Sequence, residues 1–94
     1  MFRWNDAADP ESRRAVQVAL DGLPAQIPEI RTYRFGPDAG IAEGNWDFVV
    51  VADFANQAGY EVYRDHPAHQ AVIVDRIGPL VAQRAAVQMT VSDD

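Results

Sequence analysis

Apolar residues recur along this chain with two different periods, and each period predicts a kind of element. Val16, Leu20 and Leu23 repeat at helical spacing, with Ala15 and Ala19 beside them. Asp9-Pro10-Glu11 supplies an acidic N-cap, a proline at the first helical position and an acid in the first turn. Together they predict a helix over residues 10–23, ended by Leu23-Pro24, with Pro28 holding the next loop extended. Ile30 to Phe35 alternates instead, which predicts a strand with Ile30, Thr32 and Arg34 on one face and Arg31, Tyr33 and Phe35 on the other. The strongest strand signal runs from Trp46 to Phe54. Trp46, Phe48, Val50, Ala52 and Phe54 share one face, and Val49 and Val51 lie on the other. Asn56 can cap a second helix carrying Tyr60 and Tyr63, which Pro67 interrupts. A further helical stretch holds Val72, Ile73, Ile77 and Leu80 and stops near Pro79. Val87, Met89 and Val91 alternate as the last strand, ahead of a polar tail, Ser92-Asp93-Asp94. Met1 to Trp4 reads as the end of a first strand.

The predicted order is β-α-β-β-α-β, the split arrangement of a ferredoxin-like α+β domain with an antiparallel sheet. Both helices then cover one face of the sheet and leave the other bare. The third segment is apolar on both faces at its centre, so the bare face carries Val49 and Val51. A one-layer sheet with an apolar second face needs cover, and a second copy supplies it. The 94 residues make one domain, whose small size a homodimer would also help to stabilise.

Composition removes several kinds of chemistry. Cysteine is absent, so there is no disulfide, thiolate nucleophile or cysteine-based metal site. All eight basic residues are arginine, which excludes a Schiff-base lysine. A net charge of −6 with scattered arginines disfavours nucleic acid and anionic membrane surfaces. No apolar run approaches the ~20 residues of a membrane span, and the first residues lack a signal peptide's apolar core, so the expected location is the cytoplasm.

The segment Tyr60-Glu61-Val62-Tyr63-Arg64-Asp65-His66-Pro67-Ala68-His69 resembles the Y-x-x-HPxH signature of the stress-responsive α/β-barrel (Dabb) family. Its flanks are similar too: Leu23-Pro24, Ile27-Pro28 and Ile30; Tyr33 through Asp38; Asp47 through Phe54; and Ile77 with Pro79-Leu80. The resemblance implies a dimeric α+β barrel in which two ferredoxin-like sheets face each other, over a domain spanning residues 1–94. Against the family pattern the first strand looks truncated, which raises the expectation that the natural protein begins several residues upstream. A histidine often found on that strand has no counterpart here.

Pro67 pushes His66 out of the α region, so His66 is expected to end one helix or cap the next, with His69 in the first turn beyond. A helix N-terminus favours neutral imidazole at His69. A plant polyketide cyclase of the family uses a tyrosine and a histidine at the positions matching Tyr63 and His69. The resemblance therefore implies aldol condensation without a cofactor: His69 would remove a proton from an activated methylene and Tyr63 would bind the carbonyl oxygen. Phe48, Val50, Tyr60, His66 and Ile73 would line a site for a small apolar or polyketide-like ligand. The bland alternative is a non-catalytic stress-responsive structural protein, in which these side chains hold the helix break together. No metal is expected, because the break at Pro67 keeps His66 and His69 from converging.

Overall fold

The computed structural model describes residues 1–91; the predicted polar tail lies outside the described residues. β1 (Phe2–Trp4) is followed by α1 (Pro10–Asp21), a short α2 (Leu23–Gln26), β2 (Ile30–Pro37) and β3 (Phe48–Phe54). Then come α3 (Gln57–Asp65), α4 (Pro67–Val72), a π-helical turn (Ile73–Ile77), a 3-10 turn (Gly78–Leu80) and β4 (Val81–Arg84).

Local chemistry accounts for the helix boundaries. The Asp9 carboxylate accepts from the Ser12 N–H at 2.7 Å with Pro10 opening α1, and Asn56 accepts from the Gly59 N–H at 2.9 Å to start α3. The hydrogen bond from Ser12 holds the Asp9 carboxyl below its usual range. Leu23-Pro24 does not simply stop the first helix: Pro24 sits in the opening turn of α2, whose Leu23 and Ile27 ends are fully buried. After α4 the backbone widens into the π turn, where the Gly78 N–H bonds the Ile73 carbonyl. A Cβ on Gly78 would stand 3.0 Å from that oxygen, so the turn closes because residue 78 has no side chain.

The sheet has the order β2-β3-β1-β4 and every neighbouring pair is antiparallel. The antiparallel ferredoxin-like reading therefore holds. The expected barrel does not: β2 and β4 are free edges at opposite ends of the sheet, and the sheet stays open. The last strand is also displaced from its predicted place. β4 is Val81–Arg84, and residues 85–91 have no regular structure, with Val87 86% and Met89 79% exposed. Alternation marked 87–91 as a strand, but pairing with β1 reaches only Met1–Ala85, through hydrogen bonds of 2.8 and 3.1 Å.

The core lies between one sheet face and the helices. It joins Phe2 and Phe48 to Val16, Leu20, Leu23, Ile27, Tyr63, Val72, Ile77 and Leu80. Tyr33, Phe35, Val50 and Phe54 pack against it, so the predicted alternation holds in β2 and β3, and the Tyr33–Phe35 face of β2 is the one that turns inward. Ile30 departs from its predicted face. A register shift between Ile30 and Thr32 lets it pack inward as well. Trp46 also departs from the shared face predicted for it. It lies before β3, with the Arg3 guanidinium 5.1 Å from its ring centroid, beside Val49.

Candidate functional site

His66 ends α3 and starts α4 in an extended conformation, with φ −64° and ψ 134°, as Pro67 requires of the residue before it. Its Nδ1 accepts from the Ala68 N–H at 3.0 Å, so the imidazole is a helix cap. The break turns the chain so that His69 folds back onto the preceding helix. Its Nδ1 lies 3.1 Å from the Arg64 carbonyl oxygen, which also accepts from the Gln70 amide. A carbonyl only accepts, so Nδ1 carries the proton and Nε2 of the neutral ring keeps its lone pair. The His69 ring lies over Tyr63, with centroids 4.0 Å apart.

Tyr63 is 9% exposed, and its hydroxyl lies 2.8 Å from that of Tyr33 on β2. Phe54, Tyr60 and Phe35 complete an aromatic group around the pair, with Phe54–Tyr63 at 5.2 Å, Tyr60–Tyr63 at 6.4 Å and Tyr33–Phe35 at 5.9 Å. Burial pushes both phenols above their ordinary values, so each hydroxyl stays protonated near neutrality. Burial likewise holds His69 below its ordinary 6.5; the hydrogen bond to Arg64 opposes this and the charge of Arg84 adds to it. Burial thus acts in the direction of the neutral imidazole expected at His69, with desolvation as the leading cause rather than a helix terminus.

This shift has a consequence for stability. Between the lowered folded value and 6.5, the unfolded chain takes up a proton at His69 that the folded chain refuses. Stability should fall as pH drops through 6.5, and His69→Gln should remove that part of the slope. Urea titrations of both chains from pH 8 to pH 5 check this; parallel curves would contradict it.

The remaining candidate residues are dispersed. Phe48 is buried between Phe2, stacked at 6.2 Å, and Trp4 at 5.5 Å. Val50 sits half-buried on the same sheet face. Tyr60 packs edge-on to Phe54, and Ile73 opens the π turn. Tyr63, His69 and Tyr60 are thus brought together, whereas Phe48 and Ile73 are not placed in contact with that group. A groove of about 590 Å³ lies between α1 and the ends of β2 and β3, lined by Trp4, Arg13, Arg14, Pro37, Asp47 and Phe48. Neither Tyr63 nor His69 lines it. Among the described residues no three His, Asp or Glu side chains converge as metal ligands, and no helix is long and apolar enough to cross a membrane.

Sequence reasoning left Tyr33 without a partner. That it shares a face of β2 with Phe35 was legible from strand alternation, but neither its inward facing nor the pairing with Tyr63 across 30 residues was.

An open four-stranded antiparallel sheet with all its helices on one side defines a ferredoxin-like α+β protein. Within that class, the family model described as the stress responsive A/B barrel domain matches residues 1–91, and the chain belongs to this family. Three solved structures agree in fold. A dimeric ferredoxin-like protein of unknown function from Thermobifida fusca is 47% identical, with 97% of this chain and 85% of that one covered and a TM-score of 0.89. A dimeric protein of unknown function from Bacteroides fragilis is 26% identical, covering 92% and 85%, with a TM-score of 0.74. A Dabb family protein from Mesorhizobium loti is 25% identical, covering 87% and 81%, with a TM-score of 0.72. All three are described as ferredoxin-like, in keeping with the open sheet found here. No curated protein matches the chain.

Proposed function

We propose that this chain is a non-catalytic, stress-responsive structural domain that works as a homodimer, with two open sheets packed face to face. One observation carries the reading. Val49 and Val51, at the centre of the sheet face that has no helices, are 39% and 48% exposed. An open antiparallel sheet tolerates water on one face when that face is polar, and here its centre is apolar. Thr32, Arg34 and Asp53 flank the valines, and Thr32 donates to the Asp53 carboxylate, which gives a polar rim around an apolar middle. The Thermobifida fusca and Bacteroides fragilis proteins are described as dimeric.

Sedimentation equilibrium tests the reading. The native chain should be a dimer at micromolar concentration. Val51→Asp would place a carboxylate in the apolar middle and should weaken the dimer at least ~100-fold, since a buried unpaired charge costs several kcal/mol. The position is exposed within one chain, so the folded monomer should persist. A native chain that sediments as a monomer at 100-fold higher concentration would remove the proposal.

A second reading is a site for a small apolar or polyketide-like ligand, with aldol cyclisation by Tyr63 and His69. The observation in its favour is the neutral His69, whose Nδ1 faces the Arg64 carbonyl and whose ring lies tilted by 31° over Tyr63. Against it, the Tyr63 hydroxyl is already engaged by Tyr33, and the groove beside α1 is lined by neither Tyr63 nor His69. Ligand-induced shifts of the His69 ring resonances would favour this second reading over the first.

A further inference from the structure

The groove beside α1 is lined on its helix side by Pro10, Arg13, Arg14 and Gln17. These are positions i, i+3, i+4 and i+7, so a single stripe of α1 faces it. Trp4, Phe48 and Pro37 line the other side, at the ends of β1, β3 and β2, with the Trp4 and Phe48 ring centroids 5.5 Å apart. A volume of about 590 Å³ is that of a small-molecule cleft. Trp4 and Phe48 belong to the helix-covered side of the sheet, so a dimer formed through the bare face leaves the groove open.

The fold gives the two arginines little to do. Arg13 Nε donates to the Asp9 carbonyl at 3.4 Å, and Arg14 makes no side-chain hydrogen bond among the described residues. Neither forms an ion pair there, the one such pair being Arg64–Asp65. Both stand in the half of α1 nearer its positive end, where the helix dipole does not favour a cation. The two acids of the lining are committed to the loop instead. Asp47 accepts from the Trp4 backbone N–H at 2.9 Å, and Asp38 accepts from the Gly40 N–H and the Asn45 amide, both at 3.0 Å. Their charges also restrict what the groove accepts: a phosphate dianion would face two carboxylates, whereas a single carboxylate seated on the α1 side is balanced by the arginines.

We infer that this groove binds a planar aromatic monocarboxylate, its carboxylate held by Arg13 and Arg14 and its ring laid against Trp4. Guanidinium groups meet a carboxylate through parallel N–H donors, which gives orientation as well as affinity. Trp4 is half-buried, with Phe48 packed behind it, so the indole offers the ring a rigid apolar surface. The inference is of binding, with no bond made or broken. It goes beyond the homodimer proposed above and does not depend on it.

Calorimetric titration of the native chain with naphthoate tests the site. One naphthoate should bind per chain, and the Trp4 indole N–H resonance should shift while that of Trp46, outside the groove, does not. Arg13→Gln and Arg14→Gln should each weaken binding about 10-fold, the worth of one charge-assisted hydrogen bond. Both side chains reach solvent, so the variants should keep the native far-ultraviolet circular dichroism. Arg31→Gln removes the same charge from β2 and should leave binding unchanged. Naphthamide keeps the ring without the charge and should bind at least ~10-fold more weakly than naphthoate. No saturable binding at millimolar naphthoate overturns the site, as does equal binding by both Arg13→Gln and Arg14→Gln. Naphthamide or inorganic phosphate binding as tightly as naphthoate overturns it too. A native chain that binds naphthoate as a monomer overturns the dimer alone, and a dimer that does not bind overturns the groove alone.

Discussion

Tyr63→Ala is expected to destabilise the protein by about 3–5 kcal/mol, the usual range for deleting a buried aromatic side chain. The ring is 9% exposed and touches Phe54, Tyr33 and His69, so its loss opens a cavity at the junction of α3, β2 and α4. The loss also strands the Tyr33 hydroxyl, whose side-chain partner among the described residues is Tyr63. Tyr33 is half-buried, and its unpaired hydroxyl adds about 1–3 kcal/mol where water does not reach it. Tyr63→Phe separates the two effects: it keeps the ring and should cost only the hydroxyl part, about 1–3 kcal/mol. Urea unfolding at fixed protein concentration measures both, because a dimer's apparent stability depends on concentration. A Tyr63→Phe chain as stable as the native one would show that the Tyr33–Tyr63 bridge contributes nothing to the fold.

Leu20→Ala is the other substitution of large expected effect, at about 3–5 kcal/mol. Leu20 is 1% exposed on the inner face of α1, among the fully buried side chains with Val16, Leu23 and Ile27. These four come from α1, α2 and the residue that ends α2, so one cavity there loosens the attachment of the whole first helical segment to the sheet. A domain of this size has a total stability of about 5–15 kcal/mol, so the variant should be partly unfolded near 37 °C. A loss below about 1 kcal/mol would mean that the neighbouring helices close the gap.

The two substitutions probe parts of the molecule that differ in how far the sequence foretold them. Leu20 follows from periodicity alone: helical spacing with Val16 and Leu23 puts it on a buried stripe. The helix caps were equally legible, since Asp9, Asn56 and His66 act through the residues next to them. Tyr63 was singled out by its place in a motif, but its environment was not legible. Its hydroxyl partner sits on another strand, and pairings of that range depend on how α3 crosses the sheet. The barrel expectation failed for a related reason. Alternation shows that a strand is apolar on both faces, but not whether its sheet closes.

β4 is the clearest case. Val87, Met89 and Val91 have the better alternating pattern, yet Val81–Arg84 holds the ladder. A strand forms where a partner's N–H and C=O groups lie within reach, and β1 holds Val81–Arg84 opposite Phe2–Trp4.

By itself, then, the amino-acid sequence determined what depends on neighbours in the chain. That comprises the order of helices and strands, the caps, the break at His66-Pro67, the alternation of β2 and β3, and the valines on the second face of β3. Tertiary structure alone decided the open sheet, the register of its last strand, the Tyr33–Tyr63 bridge and the burial that keeps His69 neutral. Each of these requires two segments distant in sequence to meet. Periodicity records which way a side chain faces, but not what stands opposite it.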